Sequence, residues 1–149
     1  VPVMFNRLKN PLRDMVIVAI AGPLTNIALA IISASILSMM QNLSLLDNLW
    51  LVRTLINFIF INIILAVFNM IPIPPLDGGR VAVGLLPKYI SYQLAKLERY
   101  GLFIIIGALF ILPLLGKEIG IPLEPIHWFI QYVSNFLLTI ISFLTGLSI

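Results

Sequence analysis

The residue best placed to do chemistry is Asp77, which ends a proline-rich run, Asn69-Met70-Ile71-Pro72-Ile73-Pro74-Pro75-Leu76-Asp77-Gly78-Gly79-Arg80. A carboxylate oxygen is a good zinc ligand, and a catalytic zinc commonly takes three protein ligands with water in the fourth place. The glycines at 78 and 79 allow the backbone to turn sharply and to close on a neighbouring helix. Aspartate is also a favoured helix cap, so the same side chain could simply open the helix that follows or pair with Arg80. Two asparagines stand near in pattern. Asn69 lies eight residues before Asp77, and Asn26 lies on a small-residue face further upstream; either could bind an exposed peptide backbone or brace a ligand, or could join helices together. His127, the only histidine, has no partner one helical turn away and falls among aromatic residues of an interfacial belt.

The elements that position these residues are membrane helices. Of the 149 residues 60% are apolar and 10% charged, where a soluble domain has about a quarter charged. Charge-free apolar runs predict helices over 15–40, 54–76, 101–116 and 125–149, and a bilayer crossing needs roughly 20 such residues. The 101–116 run is shorter, ~24 Å at the helical rise, and could span with flanking help or re-enter. The expected fold is therefore all-α, a polytopic helix bundle forming a single membrane domain over 1–149. Within the first run, Gly22, Asn26, Ala30, Ala34 and Ser38 share one face and permit close approach of another helix. Pro23 is expected to break that helix locally, and Pro72, Pro74 and Pro75 to unwind the backbone before Asp77. Unwound backbone at membrane depth must be packed in protein or line a cavity.

The net charge of +3 is placed to set orientation and gives no reason to expect a nucleic-acid partner. Arg7, Lys9 and Arg13 precede the first run, and Arg80, Lys88, Lys96 and Arg99 follow the second, whereas Arg53 and Lys117 stand alone in the other gaps. By the positive-inside rule the amino end and the 77–100 loop are expected in the cytoplasm, with the 117–124 connection on the opposite side. Residues 81–100 read as an interfacial amphipathic segment. No cysteine is present, so no thiolate site or disulfide framework arises. The chain opens on Val1 rather than methionine, which suggests processing or part of a longer reading frame.

The motifs then form a familiar pair. Asn69-x-x-Pro72 with Leu76-Asp77-Gly78 resembles the Asn-x-x-Pro and Leu-Asp-Gly signature of the site-2 proteases, and Ala21-Gly22-Pro23-Leu24-Thr25-Asn26 resembles the Ala-Gly-Pro-x-x-Asn element of their prokaryotic branch. Val1-Pro2-Val3 and Asn10-Pro11 are similar to that family's lead-in. The resemblance, covering roughly 1–100, implies a zinc-dependent intramembrane endopeptidase that cleaves transmembrane segments of protein substrates in the bilayer. It implies that Asp77 is the third zinc ligand. The first two ligands and the general base belong in that family to a His-Glu-x-x-His helix. No such motif occurs in this sequence, so no catalytic residue is assigned here and the chain alone is expected to be inactive, the missing helix belonging upstream. Two other readings of the same residues are a non-catalytic relative that binds transmembrane helices and a membrane ion or solute transporter built on a discontinuous helix.

Overall fold

A computed structural model describes residues 11–148, with side chains from 13 onward; the Val1 to Asn10 lead-in, including Arg7 and Lys9, lies outside the described residues. The chain is helical: α1 (Pro11–Asn42), α2 (Leu49–Asn69), α3 (Asp77–Leu85), α4 (Lys88–Lys96), α5 (Glu98–Ile106), a π-helical segment (Gly107–Ile111), α6 (Leu112–Ile119) and α7 (Pro125–Thr145). No strand occurs among the described residues. Four stretches, Arg13–Asn42, Leu49–Asn69, Glu98–Ile119 and Pro125–Thr145, are long and apolar enough to cross a membrane.

The core sits between α1, α2 and α7. Ala30 and Ala34 on the small-residue face of α1 are fully buried, and they pack with Leu37, Ile59, Ile63, Val67, Ile141 and Leu147. Small residues let backbones approach, and the aliphatic side chains of α2 then fill the space between them with dispersion contacts. Much of the remaining apolar surface faces outward, including Ile17, Ile32, Ile36, Ile61, Phe136 and Phe143. In water so large an exposed apolar surface is an association hazard, whereas hydrocarbon accepts it. Polar groups inside the helices are satisfied locally, since the side chains of Thr25, Ser33, Thr54 and Thr139 bond the carbonyl four residues back. Asn62, buried on α2, does the same to the Phe58 carbonyl at 2.8 Å and joins no second helix.

Several boundaries differ from the sequence expectation. The second helix was expected over 54–76; α2 starts earlier because Asn48 caps it, its Oδ1 accepting from the Leu51 N–H at 3.2 Å, and it stops at Asn69 because Pro72 and the prolines after it donate no hydrogen bond. The expected break at Gly22-Pro23 does not occur. Pro23 lies within a continuous α1, where only one backbone donor is lost from a helix of 32 residues and the proline ring is buried. The 81–100 segment is divided by Pro87 into α3 and α4 and runs into α5. The third apolar helix is longer than 101–116. It extends from Glu98 to Ile119 as 22 residues, passing through the π-helical segment, where the Leu112 N–H reaches back five residues to the Gly107 carbonyl next to Pro113. The fourth helix ends at Thr145, where Gly146 takes a left-handed φ of 68°.

The carboxy-terminal ends of α1 and α7 lie side by side. Gln41 bonds the Ser148 backbone and hydroxyl at 3.1 to 3.4 Å, and Ile130, Val133, Leu137 and Leu138 line up along the same core. Helix α7 therefore runs parallel to α1, with its start toward the end of the bundle where α2 finishes. Strict alternation of four crossings would have made it antiparallel, so the expectation that 117–124 lies opposite Asp77 is corrected by this packing.

Candidate metal-ligand site

Between α2 and α3 the chain makes a compact unwound loop over 70–76. Three of its seven residues are prolines, which leaves four backbone N–H donors. All four are bonded: Met70 to the Ala66 and Val67 carbonyls, Ile71 to Phe68, Ile73 to Ile71 at 2.8 Å, and Leu76 to Ile73 at 3.1 Å. The prolines thus remove the very donors that a non-helical segment would struggle to satisfy. Ile71 and Pro74 are buried, Pro74 almost completely, while Pro72 and Pro75 are exposed. The Pro74-Pro75 peptide is cis.

Glycines hold this loop from two sides. A side chain on Gly78 would collide with the carbonyl groups of Met70 and Ile71, one on Gly79 with the Pro74 nitrogen and the Ile73 carbonyl carbon, and one on Gly101 with the Pro74 carbonyl and the Pro75 ring. Pro74 is gripped between the first turn of α3 and the first turn of α5. Sequence reasoning singled out the glycines at 78 and 79 and passed over Gly101. The available signal was a glycine inside an apolar helical run, which costs about 1 kcal/mol relative to alanine and usually has a packing reason.

Asp77 is the first residue of α3, and the helix is not capped by a side chain. Its carboxylate, half-buried, forms no hydrogen bond or ion pair with any described residue. Arg80 borders a small cavity with Met15, Pro74, Val83, Ala95 and Glu98, a lining that does not include Asp77. Neither bland role considered for Asp77, cap or partner of Arg80, is therefore taken up. Its Oδ2 instead faces α1, 3.2 Å from where a Cβ on Gly22 would be. The Ala-Gly-Pro element and the Leu-Asp-Gly element are thus brought together in space.

The asparagines fall on the elements flanking this contact. Asn26 lies one turn after Gly22 on α1, and Asn69 is the last residue of α2; both are half-buried and form no side-chain hydrogen bond among the described residues. His127 is elsewhere, exposed in the first turn of α7, in an open cleft with Leu112, Glu124, Trp128 and Gln131.

A carboxylate oxygen, shielded on one side and without a hydrogen-bond partner among the described residues, is of the donor type that suits one place in a zinc coordination sphere. Among the described residues no group of three His, Cys, Asp or Glu side chains could hold a metal, so one such donor is what this site offers.

Comparison with known proteins agrees with this geometry. The family model described as "Peptidase family M50" matches residues 48–114, which takes in α2, the proline loop and Asp77. The chain is 34% identical over 124 residues to "Putative zinc metalloprotease YwhC" of Bacillus subtilis, covering 76% of this chain and 54% of that protein. It is 45% identical over 64 residues to "Putative zinc metalloprotease MJ0611" of Methanocaldococcus jannaschii, covering 43% of this chain and 31% of that one. The chain therefore spans about half or less of the length of these relatives. No solved structure matches. With its two motifs in contact, its membrane-type helices and these matches, the chain is an integral membrane protein that belongs to peptidase family M50, the site-2 proteases.

Proposed function

We propose that this chain forms part of a zinc-dependent intramembrane endopeptidase that cleaves transmembrane segments of other membrane proteins, and that Asp77 is its own contribution to the metal. The observation that carries the reading is the state of the Asp77 carboxylate: it follows a fully hydrogen-bonded proline loop, is turned toward the Ala-Gly-Pro helix, and is left without a partner among the described residues. An unpaired ionisable group in such a setting is costly to keep unless it has work to do. Zinc, when bound, would supply an activated water and a Lewis acid for peptide hydrolysis. The residues of this chain hold one oxygen donor in place, and Asn69 and Asn26 stand ready to bind an unwound substrate backbone or to brace that donor.

The remaining donors and the general base come from a His-Glu-x-x-His segment outside this sequence, so the chain by itself does not hydrolyse peptides. The distribution of Lys and Arg supports a reading in which the amino end and the 77–100 region face the cytoplasm. The test is Asp77→Ala in the full-length protein, with a membrane-anchored substrate and zinc content both measured. Cleavage and stoichiometric zinc should both be lost with the helices intact; cleavage that persists removes Asp77 from the mechanism. A wild-type protein that binds transmembrane helices yet holds no zinc would instead be the non-catalytic relative.

A further inference from the structure

We propose that Gly22 is a positioning residue for the Asp77 carboxylate, an inference that rests on the reading of Asp77 as a zinc ligand. Gly22 is exposed on α1, so close packing against α2 does not require a glycine there, as it does small residues at Ala30 and Ala34. It has a negative φ, so backbone conformation does not require one either. Within an α-helix glycine is the poorer choice beside alanine. What remains is its surroundings: outside its own helix, the one described atom within 4 Å of a Cβ built at Gly22 is the Asp77 Oδ2, at 3.2 Å. That separation is tighter than ordinary van der Waals contact, so a methyl group would push the carboxylate away by a few tenths of an ångström. The other clasping glycines abut backbone. Gly22 alone abuts the tip of a functional side chain.

A displacement of that size matters to a metal and to little else. Ligand distances at a zinc centre hold within about 0.2 Å, whereas a helix with one added methyl against a movable carboxylate has no reason to unfold. The missing Cβ therefore sets how close the carboxylate lies to α1, and through that where a metal bound to it would sit.

Gly22→Ala in the full-length protein is expected to lower zinc affinity about 10- to 100-fold, as loss of an outer-shell support does, while its thermal unfolding midpoint stays the same or rises. Zinc affinity is read by chelator competition, with Asp77→Ala run beside it. Unchanged affinity in Gly22→Ala with loss in Asp77→Ala overturns the positioning role and leaves the metal reading standing; unchanged affinity in Asp77→Ala overturns the metal reading itself. A fall in affinity accompanied by a fall in unfolding midpoint also overturns the proposal, because Gly22 would then be structural. The contact is checked separately with Gly22→Cys and Asp77→Cys together, which should form a disulfide under mild oxidation; failure of the pair to cross-link refutes the juxtaposition.

Discussion

Gly101→Ala isolates the grip on the proline loop. An added methyl at this position would overlap the Pro74 carbonyl, with the Pro74 carbonyl carbon at 2.5 Å and the Pro75 Cδ at 2.9 Å. These are backbone and ring atoms that cannot swing aside, so α5 or the loop must move. Overpacking of this kind costs about 1–3 kcal/mol. Alanine in place of glycine in a helix returns about 1 kcal/mol, so a net destabilisation of about 0–2 kcal/mol is expected, which is about 1–3 kcal/mol below a glycine-to-alanine change without overlap. Gly107→Ala is the internal control. It lies on the same long helix, and its added methyl would meet only the Ile111 Cδ1 at 3.9 Å, an ordinary contact; it should be neutral or stabilise by up to about 1 kcal/mol. Both can be measured by denaturing-detergent titration in mixed micelles, followed by the fluorescence of Trp50 and Trp128. If Gly101→Ala is as stable as Gly107→Ala, the loop is not held by α5 and the account of the clasp is wrong.

Two further substitutions probe helix ends and buried polarity. Asn48→Ala removes the cap on the Leu51 N–H and should cost about 1 kcal/mol, with faster amide exchange confined to the first turn of α2; unaltered exchange at residues 49–52 would deny the cap any role. The Ser134 Oγ is buried with no hydrogen-bond partner, so Ser134→Ala should be neutral or stabilise by up to about 1 kcal/mol, and a loss of stability in the same detergent titration would reveal a bond that the structure does not contain.

Much of the fold was legible because membrane helices declare themselves by composition and length, and because the four-residue recurrence from Gly22 to Ser38 marks the face of α1 that Ala30 and Ala34 bury. The unwound loop was legible for a chemical reason, since three prolines leave few donors to satisfy. Pro23 misled because proline is a penalty that a long helix can absorb, and whether it does so depends on contacts that sequence does not display. The direction of α7 was not legible either. It is decided by Leu147 and Ser148 docking beside Leu37 and Gln41, a tertiary choice invisible to hydropathy and charge counts. At the site, the motif singled out Asp77, but the separation of Gly22 from Asp77 by 55 positions gave no local hint that the two lie together. Gly101 was missed for the same reason: a glycine's contribution lies in what it leaves out.

The grip on Pro74 is made of excluded volume and backbone hydrogen bonds, with no ion pair at Asp77 or the loop among the described residues. Salt does not screen steric repulsion, as it does exposed charges, and protonation does not relieve it. The scaffold beneath the carboxylate should therefore keep its shape as ionic strength and acidity change.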